Sequence, residues 1–309
     1  FSSEWDEQAK KTYYANYGDV PFGDITKEST KNKIPKDFDI LCAGFPCQAF
    51  SLAGKRLGFE ETRGTLFFDV AEILRRYQPK AFFLENVKGL VIHDKGRTFK
   101  TILNTLEEVG YVVPDPQIVN AMFFGVPQHR ERIYIVGFRK DLGIKKDDFS
   151  YPEQKEVTKK WIDVREEKPV PAKYYLSTTY IETLKRHKAR HEAKGNGFGY
   201  DIIPDDGIAH AIVVGGMGRE SNLVIDFRQT DLTPTTRIKG EVNRQGWRKM
   251  TPREWARLQG YPDNFRIVVA DASAYKQFGN SVAVPAIQAT AKQLLKTLND
   301  KKILKLWEY

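Results

Sequence analysis

Residues 40–51, ILCAGFPCQAFS, are the stretch from which the rest of the chain can be interpreted. Residues 40–43 form a short apolar run that ends at Gly44, as expected of a buried strand that passes into a loop. The loop carries Cys47 between a proline and a glutamine. A nucleophilic cysteine needs solvent access and a lowered pKa, and a polar loop provides the access. We predict that Cys47 is a nucleophile and that Cys42, inside the apolar run, is a buried structural thiol.

Outward from this stretch, strand-like and helix-like segments alternate over residues 1–150. The apolar spacing that begins at Leu66 predicts a helix, and the same spacing from Phe99 predicts another. Further buried strands are predicted at residues 81–84 and 133–138. This alternation favours an α/β fold with a parallel sheet covered on both faces, whose functional residues follow the C-terminal ends of the strands.

Two further segments carry polar side chains next to these strands. Glu85 ends the strand predicted at residues 81–84, so it can reach the same sheet edge as Cys47. Arg130 and Arg132 lead into the next predicted strand and, being two residues apart, share one side of an extended chain. Taken alone, Glu85 would also fit a carboxylate that caps a helix, and the two arginines would also fit a charged start of a strand. Together the four residues form a candidate catalytic set.

The composition limits the function classes that the chain can have. Its 309 residues, 41% hydrophobic and 12% aromatic, suffice for one large domain or for one domain with an insertion. No run approaches 18 apolar residues, and no secretory signal opens the chain. Two cysteines make no disulfide framework, which indicates a reducing, intracellular compartment. His187 and His191 lack the context of a zinc motif, whereas the net charge of +9 suits a polyanionic partner.

The alternating pattern ends near Asp141, in a lysine-rich polar stretch. A helix is predicted over residues 178–193, followed by the glycine-rich KGNGFGY at 194–200 and a short strand at 211–214. We predict that this region is a separate small domain.

Regular patterning returns at Thr251. Thr251 as N-cap, Pro252 at the first helical position and Glu254 closing a capping box predict the start of a helix. A final helix with Ile287 on its apolar face is predicted to follow a turn at residues 279–281.

Five segments together resemble the motifs of the DNA cytosine-C5 methyltransferases, the bacterial restriction-modification and Dcm-like enzymes. GFPCQAFS (44–51) resembles the nucleophile motif, FFLENVKGL (82–90) the glutamate motif and QHRERIYIVG (128–137) the paired-arginine motif. TPREWARLQGYPDNF (251–265) and YKQFGNSVAVPA (275–286) resemble the last two motifs. The segments occur in the family's order and cover the chain outside its middle region.

The resemblance implies sequence-specific transfer of a methyl group from S-adenosylmethionine to C5 of cytosine in double-stranded DNA, with S-adenosylhomocysteine as product. Cys47 would attack C6 of a cytosine flipped out of the stack. Glu85 would protonate or hydrogen-bond N3, which needs a protonated or shared-proton carboxyl group. Arg130 and Arg132 would hold the base carbonyl, the phosphate backbone or Glu85. Elimination of the C5 proton would then release Cys47.

The resemblance also implies residues that bind the cofactor. Glu4 would bind the ribose hydroxyls, Trp5 would stack on adenine and Asp24 would contact the adenine amino group. The full cofactor set is Glu4, Trp5, Asp24, Ile25, Pro46, Asn280, Ser281 and Val282.

A second implied set binds DNA. One part belongs to a segment that would close over the DNA, and the other part belongs to the middle region. These residues are Gln48, Ser51, Lys55, Arg56, Arg63, Arg219, Arg228, Arg237 and Arg244.

The fold that the resemblance implies is an α/β, Rossmann-like S-adenosylmethionine-dependent methyltransferase with an inserted small target-recognition domain. We predict a catalytic domain at residues 1–151, a target-recognition domain at 152–268 and a C-terminal return to the catalytic domain at 269–309. The family opens with a strand and a Phe-x-Gly-x-Gly loop, whereas Glu4 here follows only three residues. We expect either a natural N-terminus upstream of Phe1 or a second subunit that supplies the loop.

Two alternatives stay open from the sequence. One is a tRNA cytosine-5 methyltransferase, because a tRNA-methylating branch shares these motifs. The other is one subunit, or an inactive DNA-binding fragment, of a split methyltransferase. For the enzyme itself we expect a monomer in the bacterial cytoplasm, associated with the nucleoid, with a cognate restriction endonuclease, where one exists, as functional partner.

Overall fold

The computed structural model describes residues 1–46, 66–215, 218–233 and 240–304. The chain divides into two compact units. The first unit comprises Phe1–Asn120, Glu131–Glu153 and Ala286–Tyr309, and the second comprises Ala121–Arg130 and Gln154–Pro285. The second unit thus extends past the boundary predicted at residue 268 and also takes in ten residues around the paired-arginine motif.

The strands, in chain order, are β1 (Ile40–Gly44), β2 (Ala81–Val87), β3 (Tyr111–Val112), β4 (Gln117–Asn120), β5 (Gln128–His129), β6 (Glu131–Arg139), β7 (Ala209–His210), β8 (Leu223–Ile225) and β9 (Trp247–Lys249). The α-helices are α1 (Glu7–Tyr17), α2 (Glu28–Lys31), α3 (Leu66–Tyr77), α4 (Arg97–Glu108), α5 (Thr178–Glu192), α6 (Pro252–Leu258), α7 (Asp271–Asn280) and α8 (Val284–Asp300). The predicted strands at residues 40–43, 81–84 and 133–138 are therefore confirmed as β1, β2 and β6.

The first unit contains a five-stranded sheet with the order β1-β2-β6-β3, in which β4 also pairs with β6. β1 and β2 are parallel, but β6 runs antiparallel to β2, β3 and β4. The prediction of a parallel sheet is therefore wrong beyond the first pair of strands. An apolar run identifies a buried strand, but its direction depends on the connection that leads into it. Here β3 and β4 come shortly before β6 in the chain, and both pair with it antiparallel.

The helices α3 and α4 cover this sheet with their apolar faces, as their sequence spacing predicted. Phe67 and Leu74 of α3 and Ile102 of α4 are fully buried in one cluster with Phe82 and with other side chains of the sheet. Complete burial of each such side chain stabilises the fold by about 1.5–3 kcal/mol. The burial of successive residues along β2 explains why this segment reads as a continuous apolar run.

The prediction that Cys42 is a buried thiol is wrong, because Cys42 is exposed. Side chains alternate between the two faces of a strand. On β1, Leu41 and Ala43 pack against the apolar cluster, whereas Cys42 lies on the other face. The apolar run alone gave no indication that one face of β1 is exposed.

The second unit contains two short two-stranded sheets, β5 with β7 in parallel and β8 with β9 antiparallel. The helix predicted at residues 178–193 is confirmed as α5, which begins after the N-cap Ser177. The strand predicted at residues 211–214 is wrong, since the strand is β7, two residues earlier. The backbone N–H of Ile212 donates to the side chain of Gln128 at 3.0 Å, and not to a neighbouring strand.

The predicted helix start at Thr251 is confirmed. Thr251 caps α6, Pro252 is its first residue, and Glu254 closes the capping box. The final predicted helix is confirmed as α8. Residues 279 and 280, which were predicted to form a turn, end α7 instead.

Among the residues that the structure describes, no helix has the length and apolar character needed to cross a bilayer.

Candidate active site

Glu85 and Arg132 meet in the first unit, near the C-terminal ends of the parallel strands β1 and β2. The Nε atom of Arg132 lies 3.1 Å from Oε1 of Glu85, and about one sixth of each side chain is exposed. Burial lowers the pKa of the Arg132 guanidinium, while the Glu85 charge opposes this shift. A partly buried carboxylate that a cationic partner holds in place is a candidate acid–base or hydrogen-bonding group.

Gly44 lies beside Glu85 in the register of the two parallel strands. A Cβ atom at position 44 would lie 3.5 Å from Oε2 of Glu85, so a larger side chain would crowd the carboxylate. Phe45 and Pro46 continue from there towards Cys47. This is the sheet edge at which the sequence predicted the functional residues.

Part of the predicted site lies outside the described residues. These residues are Cys47, Gln48, Ser51, Lys55, Arg56, Arg63 and Arg237.

Arg130 contacts different groups from Arg132. It belongs to the second unit, where it is 3% exposed. Its guanidinium donates to the backbone carbonyls of Ile212 at 2.9 Å, Ser281 at 2.6 Å and Gly279 at 3.3 Å. A cation at the end of a helix is favourable, and here it satisfies carbonyls at the end of α7. The two arginines, which were predicted to share one side of the chain, therefore contact different partners, each within its own unit.

Two buried glutamines hold the ends of α6 and α7, and the sequence did not point to either of them as functional. Gln128 donates to the carbonyl of Leu258 at 2.8 Å and to the side chain of Gln259 at 3.2 Å. Gln259 donates to the carbonyl of Phe278 at 2.8 Å. Both glutamines are fully buried. In the sequence, each glutamine is a polar residue inside a family-like motif. That position was the available signal of a structural role, because an amide that becomes buried there has to be hydrogen-bonded.

The predicted cofactor residues at the front of the chain lie on two neighbouring segments. Ser3 and Phe22 form a parallel bridge, and the N–H of Glu4 donates to the carbonyl of Phe22 at 2.9 Å. Glu4 therefore follows the bridge on one segment, and Asp24 follows it on the other. Trp5, which is 73% exposed, presents a large ring surface. Two carboxylates and an accessible indole are suited to a ribose diol, an amino group and a purine face.

The carboxylate of Asp24 is held by its own loop. It accepts hydrogen bonds from the backbone N–H and the hydroxyl of Thr26, at 2.9 and 2.8 Å, and these lower its pKa. Ile25 beside it is half-buried. In the second unit, Asn280 is exposed, whereas Ser281 and Val282 are half-buried.

The predicted DNA contacts of the middle region differ in their surroundings. Arg244 is exposed, and Arg219 is exposed with its guanidinium 5.4 Å from the ring centre of Tyr275. Arg228 instead forms an ion pair with Asp226 at 2.7 Å and donates to the carbonyl of Glu166 at 2.9 Å. Arg228 therefore has partners inside the second unit, which its hydrogen bonds hold together.

The chain is similar to known proteins over nearly its whole length. Residues 1–296 match the family described as C-5 cytosine-specific DNA methylase. The type II methyltransferase M.HpaII of Haemophilus parainfluenzae is 74% identical over 301 residues, which cover 97% of this chain and 84% of that protein. The type II methyltransferase M1.ScrFI of Lactococcus lactis subsp. cremoris is 47% identical over 302 residues, 98% of this chain and 73% of that protein.

Solved structures of low sequence identity share the fold. The Entamoeba histolytica methyltransferase EhMeth, 20% identical, aligns over 98% of this chain and 90% of its own with a TM-score of 0.67. The S. pombe Dnmt2 methyltransferase, 19% identical, aligns over 96% and 90% with a TM-score of 0.68. The predicted α/β, Rossmann-like methyltransferase fold is thus confirmed. The chain belongs to the C-5 cytosine-specific DNA methylase family, whose members transfer a methyl group to carbon 5 of cytosine in DNA.

Proposed function

We propose that the protein methylates cytosine at one specific sequence of double-stranded DNA, with Cys47 as nucleophile and S-adenosylmethionine as methyl donor. The observation that carries this proposal is the Glu85–Arg132 pair, 3.1 Å apart beside Gly44, three residues before Cys47. Cytosine C5 becomes nucleophilic only after C6 has been attacked. The reaction therefore requires an acid–base group close to the start of the segment that carries the nucleophile.

In the proposed mechanism, the Cys47 thiolate bonds to C6 of a cytosine flipped out of the duplex, at a cost of a few kcal/mol for unstacking. Negative charge would otherwise accumulate on the ring, and a proton at N3 removes it. In the predicted role, Glu85 protonates or hydrogen-bonds N3, and Arg132, whose Nε atom lies 3.1 Å from Oε1 of Glu85, holds the carboxyl group in place. After C5 has taken the methyl group, loss of the C5 proton to solvent, return of the N3 proton and departure of Cys47 as a thiolate restore the aromatic ring.

The cofactor residues in the proposal are Glu4, Trp5 and Asp24, together with Ile25, Pro46 and the segment Asn280, Ser281 and Val282. Glu4 would accept hydrogen bonds from the ribose, Asp24 from the adenine amino group, and Trp5 would stack on the ring. S-adenosylmethionine, when bound, supplies the methyl group that C5 takes. The exposed indole of Trp5 and the paired Glu4 and Asp24 segments support this assignment.

We assign recognition of the DNA target to the second unit, with Arg219 and Arg244 as its accessible arginines. The identity of 74% with M.HpaII extends over 97% of the chain and therefore includes this unit. We propose that the two enzymes share a target sequence, that a cognate restriction endonuclease accompanies this protein, and that it acts as a monomer in the bacterial cytoplasm. The tRNA and split-enzyme alternatives are not favoured, since the relatives that are 74% and 47% identical are type II methyltransferases.

Incubation with radiolabelled S-adenosylmethionine tests the proposal, with duplex DNA and tRNA as competing methyl acceptors. We expect label in DNA only, at one sequence by bisulfite mapping, and none with Cys47→Ala. Labelled tRNA, or turnover that survives in Cys47→Ala, would reject the assignment.

A further inference from the structure

A buried amide lies next to the proposed acid–base residue. Asn86 follows Glu85 on β2, and its side chain is 3% exposed. Its Nδ2 donates to the backbone carbonyl of Phe45 at 2.7 Å, and its Oδ1 accepts the N–H of Val87 at 2.8 Å. The amide thus links β2 to the chain that leaves β1, and both of its polar atoms are used.

Phe45 is also fixed through its ring. The ring is buried, and its centre lies 5.4 Å from that of Phe67, which is fully buried at the start of α3. Phe67 contacts Phe68 in turn, at 5.3 Å. Phe45 precedes Cys47 by two residues, and Phe67 lies two residues beyond Thr65. Phe45 and Phe67, which lie on opposite sides of residues 47–65 in the chain, therefore contact each other.

We propose that Asn86 is a positioning residue that fixes the start of the Cys47 segment relative to Glu85. The inference rests on the proposed function, in which Cys47 and Glu85 act on the same base. Glu85 and Asn86 are consecutive on one rigid strand, so the strand that carries the acid–base group also holds the carbonyl of Phe45. A displacement of a reacting group by about 1 Å can lower a rate by about 100-fold.

Two substitutions separate positioning from general stability. Asn86→Ala removes the Nδ2 donor, so the Phe45 carbonyl loses its hydrogen bond to residue 86. Asn86→Asp keeps the shape, but an ionised carboxylate repels that carbonyl, whereas a protonated one donates to it again. Burial beside a carbonyl raises the pKa of such an acid. The contact, and with it the rate relative to the unaltered protein, should therefore return as the pH falls.

The experiment measures covalent trapping of the protein on duplex DNA that contains 5-fluorocytosine, in single turnover with S-adenosylmethionine. Ile102→Ala serves as a control, because Ile102 is a fully buried side chain of the same apolar cluster on α4. Melting temperatures verify that each variant is folded at the assay temperature. We expect Asn86→Ala to form the adduct about 10- to 100-fold more slowly, with DNA affinity within about threefold of the unaltered protein.

We further expect Ile102→Ala to keep its trapping rate, and the Asn86→Asp rate relative to the unaltered protein to rise as the pH falls. The inference is overturned if Asn86→Ala traps no more slowly than Ile102→Ala, or if the Asn86→Asp ratio does not change with pH. An unaltered protein that forms no adduct would instead overturn Cys47 as nucleophile, and the inference with it.

Discussion

Two arginines that are neighbours in sequence have different roles at the residue scale. Arg132 forms an ion pair with the partly exposed Glu85, whereas the buried Arg130 donates to three backbone carbonyls. A guanidinium that contacts an acid–base group influences the reaction, and one that satisfies buried carbonyls influences the fold. The difference in role depends on which partner each guanidinium contacts.

Substitution of each arginine by alanine should separate these roles. We expect Arg132→Ala to lower kcat by about 10²- to 10³-fold, as loss of one organising donor does elsewhere, with little change in melting temperature. Arg130→Ala should lower the melting temperature, because each buried carbonyl left unsatisfied costs about 1–3 kcal/mol. Each variant is the control for the other in methyl-transfer kinetics and thermal unfolding. An Arg130→Ala protein of unchanged stability would contradict the assignment.

At the scale of elements, a buried ionic cluster joins β8, β9 and α6 within the second unit. Arg248 contacts both carboxylate oxygens of Glu254 at 2.8 Å and Asp226 at 3.0 Å, and all three side chains are fully buried. Burial alone would raise the pKa of Asp226, but Arg228 and Arg248 outweigh it and hold that pKa far below its usual range. The same Glu254 closes the capping box of α6.

This cluster makes stability depend on pH in a defined direction. Since the pKa of Asp226 is depressed in the folded state, its contribution is present above its unfolded value of about 3.9 and is lost as the pH falls through the folded value. Asp226→Asn should destabilise the protein by about 3–5 kcal/mol near pH 7 and by less at pH 3.

Urea unfolding between pH 3 and pH 7 measures this effect. Asp115→Asn is a suitable control, because the Asp115 side chain is fully exposed and an exposed ion pair contributes little. A stability difference between Asp226→Asn and the unaltered protein that stays constant with pH would refute the linkage.

At the scale of the whole molecule, the sequence is divided between two units that are each built from separate stretches of chain. In the first, Glu85 and Arg132 lie near the C-terminal ends of parallel strands. In the second, Arg130 and Gln259 hold the end of α7, and Gln128 holds the end of α6. We accordingly separate the proposed chemistry from the proposed recognition of the target.

Two arginines of the second unit test this division. Arg244→Ala should weaken DNA binding and reduce the salt dependence of log Kd by about one unit if the side chain contacts a phosphate. Arg228→Ala should leave that salt dependence unchanged and lower the melting temperature, because Arg228 is paired with Asp226. Measurement of DNA affinity at several salt concentrations, for both variants, shows which arginine contacts a phosphate. The opposite pattern would return Arg228 to the DNA contacts.

The sequence by itself determined the local elements and much of the chemistry. The apolar spacings predicted α3, α4 and α8, α5 was predicted at residues 178–193, and the cap at Thr251 was predicted residue by residue. These features depend on side chains within one or two turns, so the pattern that encodes them can be read directly. The family-like motifs also predicted that Glu85 and Arg132 would act together, and their contact is present.

Only the tertiary structure decided which distant residues meet. The direction of β6, the exposure of Cys42 and the contacts of Arg130 with residues more than 80 positions away have no local signature. The buried amides of Asn86, Gln128 and Gln259 look like ordinary polar residues in the sequence. Each of them donates to a backbone carbonyl, a group that every residue type carries, so packing in three dimensions alone selects the carbonyl that each amide holds.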